Sequence, residues 1–294
     1  MTAESSEPAI RFEDVSKSFG GNSPVIDSVN VDIPSDAVTV FVGSSGCGKT
    51  TLLRMVNRMV EPSAGRVLIN GEDIAHRDPV ALRRGIGYVM QNGGLLPHRT
   101  VVDNVATVPR LNGVSKKESR ARAMELLEVV GLDAAVAKRY PAQLSGGQQQ
   151  RVGVARALAA ESGILLMDEP FAAVDPIVRR ELQSEVKRLQ REFGKTVLFV
   201  THDISEAFHL GDKVVLLQKG GRIAQSGTPE EFIETPANDF VRDFIDADSR
   251  QLRVEGNRVL DARGRVAGVL SSPLHDGDSS SHGASDRLTS RAES

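Results

Sequence analysis

Residues 43–50 have the pattern of a phosphate-binding loop. They read GSSGCGKT and stand between an apolar run and a segment of helical spacing, which is the context that this motif requires. Glycines let backbone N–H groups approach phosphate oxygens, and the start of a helix favours an anion. Lys49 should reach the β- and γ-phosphates of a nucleotide, and the Thr50 hydroxyl should bind Mg²⁺. The residues assigned to the nucleotide are Gly43, Ser44, Ser45, Gly46, Cys47, Gly48, Lys49, Thr50 and Thr51.

Two carboxylates end a second apolar run, ILLMDEP. In an enzyme with a phosphate-binding loop, the first carboxylate at such a strand end is expected on the metal ion, which assigns Asp168 to Mg²⁺. Successive strand residues face opposite ways, so Glu169 points elsewhere and can polarise the attacking water as a general base. A capping or surface acidic pair is the alternative. The apolar run and the presence of Lys49 favour the catalytic interpretation.

Two further polar side chains stand where apolar strands end. His202 follows TVLFVT, and Gln91 ends GIGYVMQ. His202 is expected beside a strand that neighbours the one ending at Asp168, where it can contact a γ-phosphate. Gln91 can reach the metal ion or the attacking water. The alternatives are a structural histidine and a polar strand-end cap.

Cys47 is the only cysteine in the sequence. A single cysteine excludes an intrachain disulfide and favours a reducing compartment. Its place at a helix start could stabilise a thiolate. The other interpretation, which we favour, is a small residue that tolerates the tight turn.

A second glycine-containing helix start lies well downstream of the first. The stretch LSGGQQQRVGVARAL begins with polar residues and turns into an amphipathic helix. A phosphate-binding loop can hold a nucleotide unaided, so this second motif needs a separate explanation. Ser145 offers a hydroxyl, Gly146 and Gly147 allow close backbone approach, and the helix start adds positive partial charge. A plain capped helix is the alternative.

The elements that must position these residues alternate between strand and helix. Strands are predicted for IRFEDVSKSF, VNVDIPSDAVTVFVG, GIGYVMQ, GILLMDEP and TVLFVTHD, and a strand followed by a turn is predicted for GRVLINGEDI. Helices are predicted for KTTLLRMVNRMV, KKESRARAMELLEVVGL, DPIVRRELQSEVKRLQREF and ISEAFHLG. This alternation predicts an α/β fold with a mostly parallel, doubly wound sheet and a helical insertion between about residues 100 and 160.

The bulk composition is that of an ordinary globular protein. Hydrophobic residues make up 40% and charged residues 26% of the 294 residues, and the formal net charge is −3, which gives no support for nucleic acid binding. No apolar run approaches the roughly 18 residues of a membrane span, and the N-terminus lacks the features of a signal peptide. We therefore expect a cytoplasmic protein. Residues 1–8 and the Ser-, Asp- and Gly-rich segment 271–294 are predicted to be disordered.

Six motifs occur together in the order found in the ATP-binding subunits of ABC transporters, which the sequence resembles over residues 9–245. They are GSSGCGKT (43–50), Gln91, LSGGQ (144–148), ILLMDE (164–169), AAVD (172–175) and His202. A phosphate-binding loop alone is common, whereas the six together are highly specific. The resemblance implies an α/β P-loop NTPase core with a mostly parallel sheet, an N-terminal antiparallel β part and a helical subdomain at about 98–160. The ATPase domain would span 9–246.

The resemblance also implies what the second glycine motif does. In this family two domains associate head to tail, and the LSGGQ of each caps the γ-phosphate held by the other's phosphate loop. ATP and Mg²⁺ are the implied ligands, and a second copy of the chain is the implied partner.

Asp175 would contact the opposite subunit, and Phe19 matches the aromatic residue that stacks on adenine. The implied contacts to the partner's ATP come from Ser145, Gly146, Gly147 and Gln148. The implied catalytic residues are Glu169, His202 and Gln91, and the implied metal ligands are Thr50, Gln91 and Asp168.

Two segments, 54–74 and 82–111, resemble the importers of quaternary amines such as glycine betaine, choline and carnitine. The ATPase does not bind the transported solute, so this assignment rests on kinship. Two alternatives stay open: an importer ATPase for another small polar solute, and a soluble ABC ATPase without a transport role.

Separate permease subunits are implied, with an extracytoplasmic solute-binding protein as an indirect partner and a peripheral location at the cytoplasmic face of the membrane. Many members end in paired CBS domains; here residues 247–270 are expected to form a short CBS-like remnant.

Overall fold

The chain divides into two compact units, residues 1–241 and 242–294. The computed structural model describes residues 7–20, 23–91, 93–172, 174, 176–248, 253–255, 258–260 and 266–269. Asp175 and the predicted disordered segment 271–294 lie outside these residues, as do the first six residues of the predicted disordered start.

A four-stranded antiparallel sheet contains most of the N-terminal strands. Its strand order is β2-β1-β4-β5. Apolar residues recur on one face of β1, where Ile10, Phe12 and Val15 are buried, as expected for a sheet with one face on the core. The strand bounds are β1 Ile10–Lys17, β2 Ile26–Ile33, β4 Ala64–Ile69 and β5 Glu72–Asp73.

A six-stranded sheet forms the centre of the first unit, with strand order β10-β9-β3-β8-β7-β6. All neighbours are parallel except β10, which pairs antiparallel with β9. Every residue of β3, β7 and β8 is buried, which explains their continuous apolar sequence. This confirms the predicted α/β fold with a mostly parallel sheet. The bounds are β3 Val38–Val42, β6 Ile86–Val89, β7 Ile164–Asp168, β8 Thr196–Val200, β9 Lys213–Gln218 and β10 Arg222–Gly227.

Ten α-helices lie within the described residues, and four of them, α3 to α6, come between β6 and β7 in the chain. Gly131 adopts φ 70° just after α5, as predicted for a glycine that ends a helix. Within the described residues, no helix is both long and apolar enough to cross a membrane. The bounds are α1 Lys49–Val56, α2 Pro79–Arg84, α3 Val101–Val105, α4 Thr107–Leu111, α5 Lys116–Val129, α6 Gly146–Leu158, α7 Pro176–Phe193, α8 Ile204–Leu210, α9 Pro229–Glu234 and α10 Asp239–Asp248.

Two predicted elements are wrong in extent. The stretch 29–43, predicted as one strand, is broken at residues 34–37, and its two parts, β2 and β3, enter different sheets. Asp36 adopts φ 53° in the turn between them, which a continuous strand excludes. The helix predicted for residues 49–60 ends at Val56, because the backbone turns back: Met59 N–H donates to the Arg54 carbonyl, and Arg58 has φ 55°.

The C-terminal unit contains a three-stranded antiparallel sheet with the order β11-β12-β13. Its strands are β11 Arg253–Glu255, β12 Arg258–Leu260 and β13 Val266–Val269. The middle strand, β12, pairs antiparallel with both β11 and β13.

The parallel strands bring the sequence-predicted site residues to one edge of the central sheet. The strands β3, β8, β7 and β6 are consecutive neighbours, and their registers keep their ends nearly level: Phe41 and Asp168 both pair with Val200. The carboxyl ends of parallel strands share one edge, where open α/β sheets bind their ligands. This edge receives the phosphate loop after β3, Gln91 after β6, Glu169 after β7 and His202 after β8.

Candidate active site

The phosphate loop owes its shape to two glycines. Gly43, directly after β3, has φ 149°, and a Cβ there would collide with the carbonyl oxygen of Leu217. Gly48 has φ 101° at the start of α1, where a Cβ would collide with the Ile26 side chain. Only glycine accepts this combination of backbone angle and crowding. A cavity of about 220 Å³ lies against the loop, lined by Val25, Ser45, Gly46, Gly48, Lys49, Thr50, Thr51 and Glu169.

Lys49 is buried, with 5% of its surface exposed, at the base of this cavity. Its ammonium donates to the carbonyl oxygens of Gly43, at 2.7 Å, and Ser44, at 3.0 Å. Burying an ammonium requires such partners. These hydrogen bonds hold the Lys49 ammonium beside the phosphate loop, where it can bind phosphate oxygens.

Thr50 and Asp168 offer a pair of oxygen ligands where β7 ends. The Thr50 hydroxyl donates to Asp168 Oδ1 at 2.7 Å. Hydroxyl and carboxylate oxygens suit Mg²⁺, which takes few protein ligands and fills its remaining positions with water and phosphate oxygens. No group of three or more His, Cys, Asp or Glu side chains suited to a metal occurs among the described residues.

The sequence prediction missed two residues that contact Asp168. Arg54 Nη2 lies 3.5 Å from Asp168 Oδ2, and the Tyr88 hydroxyl donates to the same oxygen at 3.3 Å. Burial raises the pKa of Tyr88, so its hydroxyl stays a donor at neutral pH. One signal was available in the sequence: Arg54 is four residues after Thr50 and so lies on the same face of α1. Nothing in the sequence marked Tyr88.

The three residues assigned to catalysis meet at a single carboxylate oxygen. Gln91 Nε2 donates to Glu169 Oε2 at 3.4 Å, and His202 Nδ1 lies 3.3 Å from the same atom. Glu169 adopts φ 43°, and its backbone N–H donates to the Val200 carbonyl at 3.0 Å. Positive φ is uncommon for glutamate, and such backbone strain is often found at functional sites. Gln91 contacts Glu169, and the structure gives it no contact with the other predicted metal ligands, Thr50 and Asp168, within the described residues.

Phe19 presents its ring to solvent. The residue is 62% exposed, and Lys17 Nζ lies 5.0 Å from the ring centroid. Exposure of a large aromatic side chain fits a stacking surface better than a core position. Phe19 is not among the residues that line the cavity at the phosphate loop.

The LSGGQ motif is exposed at Ser145 and Gly146, partly buried at Gly147 and Gln148, and buried at Leu144. Ser145 caps α6: its Oγ accepts from the Gln148 N–H at 3.3 Å, and Gln148 Oε1 accepts from the Ser145 N–H at 3.0 Å. This reciprocal capping box uses the hydroxyl as an acceptor and leaves its O–H free to donate. Of the described residues that line the phosphate-loop cavity, none belongs to this motif.

The segment after Gln91 is tied to the helix that begins with LSGGQ. Arg156, in the last turn of α6, donates to the carbonyl oxygens of Gly93 and Gly94, both at 2.7 Å. Burial lowers the pKa of Arg156. A partly buried guanidinium held by two carbonyls thus joins the two segments.

Cys47 is fully buried within the loop. Burial raises the pKa of its thiol above the ordinary value, although the Lys49 ammonium acts in the opposite direction. The structure thus supports the small-residue interpretation rather than a stabilised thiolate.

We expect folded Cys47 to react with iodoacetamide about tenfold or more slowly than the thiol of a short cysteine peptide at neutral pH, because the reactive species is the thiolate. Mass spectrometry of timed samples measures the rate, and the urea-unfolded chain, in which the difference should vanish, is the control. Labelling of the folded chain at the peptide rate would contradict this expectation.

Comparisons with known proteins place the chain among nucleotide-binding cassettes. The sequence profile described as "ABC transporter" matches residues 26–172. The chain is 51% identical over 236 residues to the glycine betaine/carnitine/choline transport ATP-binding protein OpuCA of Bacillus subtilis (strain 168), covering 80% of this chain and 62% of that protein. It is 45% identical over 275 residues to the osmoprotectant import ATP-binding protein OsmV of Salmonella typhimurium (strain LT2), covering 91% and 72%. The chain thus spans less than two thirds of the length of OpuCA.

A solved structure has the same architecture. The dimeric post-hydrolysis state of the ATP-binding cassette MJ0796, bound to ADP and Pi, matches with a TM-score of 0.69 and 34% identity, covering 75% of this chain and 98% of that one.

Proposed function

Because this chain belongs to the ABC transporter family of ATP-binding proteins, we propose that it is the ATP-hydrolysing subunit of an importer for quaternary amine osmolytes. The observation that supports hydrolysis is the meeting of Gln91 and His202 at Glu169 Oε2, beside a cavity that Lys49 and Glu169 both line. The solute class is supported by the relatives, which are named for glycine betaine, carnitine and choline transport and for osmoprotectant import.

The phosphate loop and its lysine bind the substrate in this mechanism. Backbone N–H groups of the loop and the start of α1 hold the β- and γ-phosphates of ATP, and Lys49 exchanges its carbonyl contacts for phosphate oxygens. Thr50 and Asp168 would hold Mg²⁺, which neutralises negative charge on the phosphate oxygens. Phe19 stacks on adenine.

Glu169 accepts a proton from the attacking water. Its carboxylate lines the phosphate-loop cavity, so it can reach a water placed in line with the γ-phosphate. His202 and Gln91 hold that carboxylate from two sides. With nucleotide bound, His202 contacts the γ-phosphate and Gln91 orients the water. Both contacts position the reactants, and positioning supplies most of the catalysis in phosphoryl transfer.

The second glycine motif completes the site of a second copy. Ser145 is exposed at the start of α6, and its O–H is free to donate to a phosphate held by another chain. Gly146 and Gly147 let the partner's nucleotide approach the helix start closely. Two ATP molecules are then bound between two chains in head-to-tail order. The dimeric relative bound to ADP and Pi supports this arrangement, and Asp175 is assigned to the same interface.

Coupling to transport runs through the Gln91 segment. Gln91 contacts Glu169, and the following glycines are bound by Arg156 of α6, so changes at the γ-phosphate move both elements. Separate permease subunits receive this movement at the cytoplasmic face of the membrane, and an extracytoplasmic solute-binding protein delivers the solute to them.

We predict that cells lacking this chain lose most of their uptake of at least one quaternary amine at high osmolarity. Uptake of labelled glycine betaine, choline and carnitine is measured in the deletion strain and after complementation. Wild-type chain should restore uptake, and a Lys49→Ala chain, expressed at the same level, should not. If uptake of all three is unchanged in a strain without another importer for them, the solute assignment is wrong, while ATP hydrolysis by the purified chain still tests the ATPase.

A further inference from the structure

A buried polar cluster lies next to Glu169 and His202 and has no part in the mechanism above. Arg179 and Gln183 stand four residues apart on α7, and so share one of its faces. Gln183 Nε2 donates to Glu206 Oε1, on α8, at 2.8 Å. Gln183 is 6% exposed and Glu206 is 8% exposed. An amide and a carboxylate are thus bound to each other in the interior, between two helices.

Glu206 is a buried carboxylate whose charge is only partly compensated. Burial and the neighbouring Asp203 carboxylate raise its pKa, while hydrogen bonds from Thr201 and Gln183 and the positive charge of Arg179 act in the opposite direction. Burying a charged group without full compensation is costly. Such a group is retained where it has a role beyond packing, as buried ionisable groups at functional sites often do.

A small cavity connects this cluster with the reaction site. It has a volume of about 40 Å³ and is lined by Glu169, Phe171, Ala172, Arg179, Thr201, His202, Asp203 and Glu206. Glu169 also lines the cavity at the phosphate loop. It therefore stands between the two cavities, with the phosphate loop on one and the Arg179–Glu206 cluster on the other.

Arg179, which lines this cavity, has a buried donor that no described residue accepts. Its Nη2 donates to the Val174 carbonyl at 3.2 Å, but its Nε is buried and has no hydrogen-bond partner among the described residues. Leaving a buried donor unpaired is energetically costly. The adjoining cavity exceeds the roughly 10–15 Å³ that one water needs, and its lining supplies several acceptors.

We propose that Arg179, Glu206 and one water molecule in this cavity form a positioning site that holds Glu169 and His202 in their reactive arrangement. The water accepts from Arg179 Nε and donates to the carboxylates of Glu206 and Glu169. This proposal rests on the assignment of ATP hydrolysis to Glu169.

The site joins two segments that must act together during hydrolysis. Glu206 lies in the first turn of α8, where its N–H donates to Asp203 at 2.9 Å, and Asp203 N–H donates to Thr201 at 3.1 Å. The cluster thus fixes the turn that carries His202. Through the Val174 carbonyl, Arg179 also holds the segment that leads to Asp175 and, in the proposed dimer, to the opposite chain. Closure of the dimer is in this way linked to the placement of His202.

Two conservative substitutions test the site. Glu206→Gln keeps the shape and the hydrogen bond from Gln183 but removes the charge that faces Arg179. Arg179→Lys keeps the charge but removes Nε. Each should lower kcat for ATP by about tenfold, the size of effect typical of coupled positioning residues, while KM for ATP and the nucleotide affinity of the monomer stay unchanged. The double variant should lose no more than either single one, because the residues act as one unit.

A matched control comes from the same helix. Gln190 is also buried, and its Nε2 donates to the Asp36 carbonyl at 2.8 Å and the Lys195 carbonyl at 3.1 Å. It lies three turns beyond Arg179 on α7 and lines neither cavity. Gln190→Leu should lower the thermal unfolding temperature and leave kcat unchanged, which separates positioning from a general loss of stability.

A crystal structure of the wild-type chain at high resolution provides a second measurement, independent of activity. We expect one ordered water within hydrogen-bond distance of Arg179 Nε, and its loss in Arg179→Lys. Wild-type kcat in both single variants, additive losses in the double variant, or Arg179 Nε bound to a protein acceptor with no ordered water would each overturn the proposal. No ATP hydrolysis by the wild-type chain would instead overturn the proposed function.

Discussion

Replacing Glu169 by glutamine should lower ATP turnover by about 10²- to 10⁴-fold, the contribution expected of a general base. Glutamine has the size of glutamate and can keep the contacts with Gln91 and His202, but its amide cannot accept a proton from water at neutral pH. Nucleotide binding should persist, because it depends on the phosphate loop. With ATP and Mg²⁺, the variant should accumulate as a long-lived dimer on size exclusion, since hydrolysis no longer separates the two chains.

A glutamate on the outer face of α7 provides the control. Glu192 is exposed and pairs with Arg188, so Glu192→Gln removes one carboxylate without approaching the site and should leave turnover within about twofold, as for most surface substitutions. Phosphate release measures turnover, and a fluorescent ATP analogue measures binding. Turnover of Glu169→Gln near that of the wild type would show that another group accepts the proton.

Replacing Ser145 by arginine should abolish dimerisation driven by ATP while leaving nucleotide binding by the monomer nearly intact. In the monomer no LSGGQ residue of the described chain lines the cavity at the phosphate loop, so the substitution has no route to the bound nucleotide. In the dimer a long side chain at the start of α6 would occupy the place of the partner's γ-phosphate. Combining the substitution with Glu169→Gln allows the dimer to be scored by size exclusion without hydrolysis.

Ser115 offers a matched control for this experiment. It caps α5 in the same way, its Oγ accepting from the Glu118 N–H at 3.2 Å, and losing a helix cap costs about 1 kcal/mol. The Ser115→Arg variant therefore loses a comparable helix cap, but it should still dimerise. If Ser145→Arg weakens nucleotide binding by the monomer, or if both variants fail to dimerise, LSGGQ does not act on a second chain in the way proposed.

Most residues of the proposed site could be predicted from the sequence, because they lie in short local patterns. A phosphate loop needs its glycines, lysine and threonine within a few residues, and Gly43 and Gly48 show why: their backbone angles and crowding exclude any side chain. The positions of Asp168, Glu169 and His202 followed from apolar runs that could only be buried strands. The parallel order of those strands then required their ends to meet at one edge.

Other features were beyond the reach of the sequence because they depend on contacts between distant segments. The break between β2 and β3 was missed, since which sheet each half joins is decided by partners elsewhere in the chain. The burial of Cys47, the contact of Tyr88 with Asp168 and the link from Arg156 to Gly93 and Gly94 have no local signal either.

The sequence by itself determined which residues we propose for binding phosphate, holding Mg²⁺ and accepting a proton, because these proposals rest on residue types in short, regular patterns. Only the tertiary structure decided which of these side chains contact the same atom. It joined Gln91 and His202 at Glu169 Oε2, and it enclosed Arg179 and Glu206 with Glu169 around one small cavity. Side chains far apart in sequence meet only through the packing of helices against a common sheet, and that packing is the sum of many weak contacts that no short motif encodes.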